Sequence, residues 1–422
     1  MTTISVFGDW GEFVEPQRLG QLRARAGSGR EIFEFEFDGE ALAQPDLSAV
    51  QLDPRLQFFE GPQYPPQGSI TFGMFADASP DRWGRLLMDR RRERDIRAGR
   101  FREGSRLHES DYLLGVHDCC RVGAIRLKEE GGEDFLDNQK NVAAPPFVEL
   151  RALQAASLAL ERDEDNSASD GDEWLRMLIA PGGSLGGARP KASVVDPNGS
   201  LWIAKFPSKR DKHDIGAWEL VVHTLARQCA LRVPEAGAKK FANDFHTFLV
   251  RRFDRSESGS RRQFASAMTL TGHTDGDDAS TGASYLEIAS VLVDQGAQAQ
   301  EDLRELWSRI VFNILVSNCD DHLRNHGFLL VPRKGWRLSE AYDMNPEPNS
   351  TGLRLNISEV DNALDLELAL SVAPYFRLSS GAASEIVEKS IAVVRQWPKI
   401  ASTLRIPQKE QEMMAVAFRM AR

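Results

Sequence analysis

Three polar residues after position 318 have the types and order needed for phosphoryl transfer. The segment 318–325 reads NCDDHLRN, so Asp320 is followed five residues later by Asn325, and Asp343 comes beyond a predicted hairpin. In this chemistry one carboxylate orients the attacking hydroxyl, while an amide oxygen and a second carboxylate bind Mg²⁺ against the nucleotide phosphates. The pattern predicts a phosphotransferase, provided that a phosphate loop and a lysine lie upstream.

A glycine-rich segment with the sequence GGSLGGARPK occupies positions 182–191. Glycines allow backbone N–H groups to turn toward phosphates, because no Cβ stands in the way. The spacing fits neither the Walker A pattern nor GxGxxG, and such a segment taken alone is more often an ordinary loop. It indicates a phosphate loop only in combination with the residues downstream of it.

A lysine and a glutamate come after the loop in the order that kinases use. Lys205 lies late in the next predicted strand, and Glu219 lies on the next predicted helix, where it could hold the lysine near nucleotide phosphates. The alternative for Lys205 is a surface lysine on an amphipathic strand. A further predicted strand, 245–253, leads to a crossing between two lobes, where the backbone could bind the edge of adenine.

Two other readings of the 318–325 motif are weaker. His322 and His326 stand four residues apart, but a zinc-binding HExxH pattern needs Glu where Leu323 stands. Asp320 and Asp321 could be paired carboxylates for hydrolysis, yet no second acidic cluster supports this. The spacing to Asn325 favours Asp320 as the catalytic residue and Asp321 as a structural one.

The bulk composition is that of an ordinary soluble globular protein. The chain has 422 residues, of which 41% are hydrophobic and 27% charged, enough for two or three domains. A net charge of −10 argues against a surface that generally coats nucleic acid. Only the arginine-rich segment 89–106 departs from this balance. A solvated helix face is favoured for it, and a docking surface for DNA or an acidic partner is the alternative.

Cysteine usage and the N-terminus indicate a cytoplasmic protein. Cys119, Cys120, Cys229 and Cys319 form no CxxC pair, and adjacent cysteines rarely bridge each other, so reduced thiols are expected. The N-terminus lacks the basic and apolar regions of a signal peptide. No apolar run approaches the length that spans a membrane.

Hydrophobic periodicity predicts an α+β fold, with a β-rich first part and a helical second part. Strands are expected at 32–37 and 69–72, helices at 81–92, 148–160, 216–230 and 301–316, and hairpins at 192–206 and 327–338. Three C-terminal helices are expected at 361–372, 382–396 and 408–421. With a break at the polar segment 129–146, we expect subdomains at 1–128, 147–255 and 256–422, the last of them all-helical, in a two-lobed arrangement.

Taken together, these motifs resemble the HipA family, the serine/threonine kinase toxins of bacterial type II toxin–antitoxin modules. The matching segments are SLGGARPK at 184–191, WIAKFP at 202–207, VRRFDR at 250–255, NCDDHLRN at 318–325 and AYD at 341–343. The segment FADASPDRWGR at 75–85 is similar to a characteristic N-terminal segment of the family. The matches occur in family order over roughly residues 70 to 345.

The resemblance implies a protein-kinase-like fold that uses ATP and Mg²⁺. It assigns the loop over the ATP phosphates to Gly186, Gly187, Ala188, Arg189, Pro190 and Lys191, and the phosphate-contacting lysine to Lys205. It assigns the adenine hinge to Arg251, Arg252 and Phe253. Arg251 is a departure, because it places a base where the family can carry an acid.

The remaining assignments concern the reaction and its control. Asp320 matches the proton acceptor, Asn325 and Asp343 match the Mg²⁺ ligands, and His322 and Tyr342 lie in the nucleotide-contacting part. Ser184 matches a loop serine whose autophosphorylation ejects the loop and silences the kinase.

The resemblance also implies partners. These are a HipB-like helix-turn-helix antitoxin, operator DNA held through that antitoxin, and a protein substrate of the translation machinery, such as an aminoacyl-tRNA synthetase. Two rival functions are a catalytically silent kinase-fold scaffold that binds the antitoxin as corepressor, and a small-molecule kinase on a related fold.

Overall fold

The chain folds into two compact units in a computed structural model that describes residues 1–11, 13–27, 30–44, 51–136, 144–162, 178, 187–241 and 243–422. The first unit contains residues 1–210 and 254–265, and the second contains 211–253 and 266–422. Both units are therefore discontinuous along the chain. The three subdomains expected from the sequence stay a prediction.

The strands of the described residues are short and mostly antiparallel. They are β1 (Thr2–Gly8), β2 (Gln17–Ala26), β3 (Glu31–Phe37), β4 (Ile125–Glu129), β5 (Lys191–Val195), β6 (Leu201–Lys205), β7 (Ala236–Lys240), β8 (His246–Arg251), β9 (Phe264–Ser266), β10 (Gly327–Val331) and β11 (Gly335–Leu338).

The α-helices lie mainly in the second unit. They are α1 (Gly39–Leu42), α2 (Gly73–Ala78), α3 (Arg82–Arg97), α4 (Glu109–Leu114), α5 (Leu150–Arg162), α6 (Ile215–Gln228), α7 (Ala267–Leu270), α8 (Tyr285–Gln295), α9 (Ala299–Val316), α10 (Leu366–Val372), α11 (Ser380–Val394), α12 (Trp397–Thr403) and α13 (Gln408–Met414). Among the described residues, none of these helices is long and apolar enough to cross a membrane.

The first unit begins with an antiparallel sheet in the order β3-β2-β1-β4. The alternating phenylalanines of β3 point into its core, which confirms the predicted strand at 32–37. Phe35 packs on Phe75 with ring centroids 5.6 Å apart. The predicted strand at 69–72 is wrong, because these residues form the loop into α2. Phe72, just before that helix, packs against Phe75 of α2 and Phe35 of β3.

A hairpin in this unit carries two residues of the candidate site, Lys191 and Lys205. Strands β5 and β6 pair as predicted from Lys191↔Lys205 to Val195↔Leu201. The turn between them is held by Asp196, whose Oδ1 accepts from the N–H groups of Asn198 and Ser200 at 2.9 and 2.8 Å. An aspartate that bonds the backbone two residues ahead is the usual start of such a turn.

In the second unit the long helix α9 forms the centre of the core. Its apolar face, including Leu306, Trp307 and Ile310, is completely buried, as the helical spacing predicts. The hairpin β10–β11 is also confirmed. It belongs to a three-stranded sheet, β11-β10-β9, so residues 256–422 are mainly helical rather than all-helical. At the C-terminus Trp397 stacks on Phe418 at 4.7 Å, and the periodicity missed α12, the short helix that begins at this tryptophan.

Candidate functional site

The end of the glycine-rich loop is held by its junction with the β5–β6 hairpin. Pro190 accepts from the N–H of Phe206 at 2.8 Å, one residue beyond the Lys191↔Lys205 pair. Gly187 and Ala188 are exposed. Ser184 and Gly186 lie outside the described residues, so their predicted roles stay predictions.

Lys191 supports the loop from within the first unit. Its side chain is only 2% exposed, and its Nζ lies 2.9 Å from Asp81 Oδ2 and 2.8 Å from the carbonyl of Gly187. A buried ammonium is stable only with such partners. Because this ammonium is already held by the protein, the geometry disfavours the predicted contact between Lys191 and ATP, which stays a prediction.

The segment around position 81 is the anchor for this lysine. Asp81 caps α3 by accepting from Gly84 N at 2.7 Å with its other oxygen. Trp83 donates from Nε1 to the backbone carbonyl of Lys191 at 2.9 Å. Asp81 thus holds the side chain of Lys191, the first residue of β5, and Trp83 holds its backbone carbonyl.

We expect Trp83→Phe to destabilise the protein by about 1–3 kcal/mol, because it removes a buried donor from the Lys191 carbonyl. The matched control is Trp202→Phe, whose Nε1 donates to the half-exposed Asp196 carboxylate at 3.1 Å, a group that water can also serve. Urea unfolding measures both. Equal losses for the two variants would contradict the anchoring role.

Lys205 and Glu219 are both buried and both lie in regular elements. Lys205 is the last residue of β6 in the first unit and is 9% exposed, while Glu219 lies in the first half of α6 in the second unit and is 3% exposed. Charged side chains are rarely buried unless they have a structural or functional use. Their mutual pairing stays a prediction.

The predicted hinge comes after β8 in the second unit. Arg251 ends this strand, and its N–H donates to the carbonyl of Glu235 at 2.8 Å. Arg252 is buried. The ring of Phe253 lies 5.3 Å from that of Tyr342, tilted by 39°. The structure therefore brings together one hinge residue and one residue of the AYD segment.

The 318–325 motif begins where α9 ends. Ser317 adopts φ = 49°, in the left-handed region, which turns the chain sharply out of the helix. Its Oγ donates to the carbonyl of Ala417 at 2.7 Å. Asn318 Oδ1 accepts from the N–H of Asn345 at 3.1 Å. These bonds tie the turn both to the C-terminal segment and to the residues just after Asp343.

Asp320 and Asn325 are joined through the backbone carbonyl of Asp320. It accepts from Asn325 Nδ2 at 3.1 Å and from His322 N at 2.9 Å. The side chain of Asp320 is exposed, whereas Asn325 is buried. This bond uses the amide nitrogen of Asn325 and not its Oδ1.

Asp343 occupies a backbone conformation that is costly for a residue with a Cβ. Its φ is 58°, and such left-handed residues are often found at functional sites. Asn345 Nδ2 lies 3.5 Å from its Oδ1. The preceding Tyr342 donates to the carbonyl of Arg324 at 2.6 Å, which places this strained position beside the 318–325 motif. Carboxylate and amide oxygens are the ligand types that Mg²⁺ prefers.

The motif rests on a buried network that the sequence did not reveal. Asp321 Oδ2 accepts from Tyr285 OH at 2.6 Å and from Asn313 Nδ2 at 2.8 Å, and it lies 2.8 Å from His326 Nε2. Burial acts to raise the pKa of Asp321, but attraction to His326 and the hydrogen bonds outweigh it, so the pKa is lowered. Asp321 thus serves as the ionised centre of a structural network.

Two curated proteins are similar to this chain in sequence. The chain is 28% identical over 237 residues to "Putative kinase Y4dM" of Sinorhizobium fredii, which is 53% of this chain and 52% of that protein. It is 27% identical over 198 residues to a "Putative kinase" of Haemophilus influenzae, 41% of this chain and 57% of that protein. The chain therefore spans about half the length of the curated relatives that it matches.

The fold as a whole is similar to one of the chains in the solved complex of the Shewanella oneidensis MR-1 toxin–antitoxin system HipA, HipB and its operator DNA. The TM-score is 0.60 at 16% identity, over 99% of this chain and 95% of the other. At this identity the likeness concerns the fold. The sequence model of the HipA-like C-terminal domain matches residues 183–397, more than half of the 422 residues. The chain belongs to the family of proteins with a HipA-like C-terminal domain.

Proposed function

We propose that this chain is an ATP- and Mg²⁺-dependent protein serine/threonine kinase that acts as the toxin of a type II toxin–antitoxin module. The observation that carries the proposal is the arrangement of Asp320, Asn325 and Asp343 in the second unit. Asp320 has an exposed side chain, and its backbone carbonyl accepts from Asn325 Nδ2. Asp343 has a left-handed backbone conformation and follows Tyr342, which donates to the carbonyl of Arg324 within the 318–325 motif. Its family membership and the names of its relatives support the same reaction class.

Each of these residues has a distinct role in the proposed reaction. Asp320 would orient the target hydroxyl and accept its proton, because its side chain is exposed. Asn325 and Asp343 would hold Mg²⁺, which neutralises charge on the phosphates when it is bound. Lys205 and the backbone of 187–190 would contact those phosphates. Phosphoryl transfer needs little more from a protein than such positioning and charge stabilisation.

Two further features of the second unit suit a nucleotide. Nδ1 of His322 is buried and has no hydrogen-bond partner in the described part of the chain. A buried polar atom of this kind is costly unless a ligand or water satisfies it. The tilted pair of Phe253 and Tyr342 supplies aromatic surface next to the predicted hinge. These residues would contact the base and sugar side of ATP.

Control of the kinase would depend on Ser184. A phosphoryl group at this position adds about two negative charges, which would compete with ATP phosphates for the same N–H groups and repel them. The partners in the proposal are a HipB-like helix-turn-helix antitoxin, operator DNA bound through it, and a protein of the translation machinery as substrate. The solved complex of HipA, HipB and operator DNA motivates the first two.

The proposal is tested by incubating the purified chain with γ-labelled ATP and locating the label by mass spectrometry. We expect incorporation at Ser184 that requires Mg²⁺. In Ser184→Ala this label disappears, while transfer to an added protein substrate persists. In Asp343→Asn both are lost, because a Mg²⁺ ligand loses its charge.

The matched control is Asp294→Asn, an exposed acid on α8 in the same unit, which should behave as wild type. No transfer by the wild-type chain to itself or to any protein of a bacterial lysate would favour the silent scaffold instead. Transfer that requires an added metabolite and never modifies Ser184 would favour a small-molecule kinase.

A further inference from the structure

A compact cluster of soft ligands lies in the first unit and includes none of the residues assigned to the candidate site. His117, Cys119 and Cys120 surround a single 3₁₀ turn, Asp118–Cys120, which precedes β4. The two Sγ atoms are 3.4 Å apart, and one donor atom from each of the three residues lies within 4.8 Å of the others. The two thiols are close enough for an S–H···S hydrogen bond, and equally close enough for both sulfurs to bind one ion.

We propose that His117, Cys119 and Cys120 form a binding site for a thiophilic divalent cation of the zinc class. Zinc lies about 2.3 Å from thiolate sulfur and about 2.0–2.1 Å from imidazole nitrogen in a tetrahedral arrangement. Two sulfurs on one tetrahedron are then a little under 4 Å apart by this geometry, so the observed 3.4 Å needs only a small adjustment. Three protein ligands leave a fourth position for water or another donor.

Positively charged side chains lie beside the ligand turn. The nearby guanidinium groups of Arg126 and Arg261 form ion pairs with Asp118, inside the same turn, at 2.6 and 3.0 Å. Cys229, the half-buried residue that caps the C-terminus of α6 in the second unit, is not part of this cluster.

Burial and ligand type determine which ion fits. His117 and Cys120 are buried, whereas Cys119 is partly exposed and gives an ion a way to enter. Two thiolates and a dication are together neutral, so the neighbouring arginines do not repel the loaded site. Thiolate and imidazole ligands select zinc-class ions over Mg²⁺, which prefers oxygen.

A bound ion would stiffen a junction inside the first unit. Arg255 donates from Nη2 to the carbonyls of Cys119 and Arg121 at 3.1 and 2.9 Å. The ligand turn is thus tied to the segment 254–265, which returns to this unit after the chain has visited the second one. An ion that fixes the turn would also fix this returning segment, so loading should raise thermal stability.

Cobalt(II), which reports its ligands through absorption, is the direct probe. The reduced full-length chain, handled without oxygen, is titrated with Co²⁺ and then with Zn²⁺. We expect one Co²⁺ per chain with a thiolate-to-metal charge-transfer band, its displacement by Zn²⁺, and a rise in Tm. The band is lost in Cys119→Ser and Cys120→Ser and shifted in His117→Ala, and it is unchanged in the control Cys229→Ser.

A second measurement needs no variant. Zn²⁺ should protect Cys119 and Cys120 of the wild-type chain from alkylation, located by mass spectrometry, while modification of Cys319 is unaffected. Absence of the charge-transfer band in folded wild-type protein, or a band that survives in Cys119→Ser, would overturn the proposal. So would alkylation at Cys119 that is equally fast with and without Zn²⁺. Kinase activity enters none of these readouts.

Discussion

Replacing Asp320 with alanine should lower the rate of phosphoryl transfer by about 10²–10⁴-fold, the usual contribution of a positioned proton acceptor. In this variant the effect on the reaction can be separated from an effect on folding. The contacts that organise the motif use the backbone carbonyl of Asp320, which alanine retains, and its carboxylate is exposed. Stability should therefore change by no more than about 0.5 kcal/mol, and ATP affinity should be nearly unchanged.

Initial rates with a saturating protein substrate, together with ATP binding by calorimetry, separate these effects. The control is Glu359→Ala, which removes an exposed carboxylate from the same unit. A rate for Asp320→Ala within tenfold of wild type would remove Asp320 from the role of proton acceptor. Loss of ATP binding together with rate would assign it to the nucleotide instead.

Replacing Asp321 with alanine should have the opposite profile, a loss of about 3–5 kcal/mol in the free energy of unfolding. The carboxylate accepts from Tyr285, Asn313 and His326, all buried, and alanine would leave these groups without their common partner. A loss of this size is a large fraction of the stability of a typical protein. Urea unfolding measures it, again with Glu359→Ala as control.

The same network should make stability depend on pH. Because the folded-state pKa of Asp321 is lowered, the stability that it contributes is fully present above its ordinary value of 3.8. It is lost as the pH falls through the lower folded-state value. Asp321→Asn keeps one acceptor oxygen and should recover part of the stability, with a shallower loss in acid. An unfolding energy equal to that of wild type in both variants would contradict the structural role.

Local sequence patterns were sufficient to predict several of the helices and strands. The apolar spacing of α9, the Pro-Asn-Gly turn between β5 and β6 and the alternation in β3 each depend on neighbours within a few residues. The strand expected at 69–72 was wrong, because a short apolar pattern does not show which residues an apolar side chain contacts. Phe72 is buried by its contacts with Phe75 and Phe35 and not as part of a strand.

Partners distant in sequence could not be predicted from a single chain. Lys191 was assigned to the phosphate loop by its place in a motif, and nothing near it indicates that its ammonium would meet Asp81, 110 residues earlier. In the same way, nothing in the sequence near Asp321 indicates its hydrogen bonds with Tyr285 of α8 and Asn313 of α9. Such pairs arise when tertiary packing buries a charge that must then be satisfied.

The anchoring of Lys191 and Ser317 has a consequence for how far the catalytic region can be treated as a module. The stretch that defines the family, 183–397, contains every residue proposed to bind ATP or Mg²⁺. A fragment with those borders would lack Asp81, the partner of the Lys191 ammonium. It would also lack Ala417, whose carbonyl accepts from the Ser317 hydroxyl. The segment that is recognisable by sequence is therefore shorter than the set of residues that holds it in place. A gene fusion or truncation at residues 183 and 397 would keep the proposed ATP and Mg²⁺ ligands but lose these two contacts.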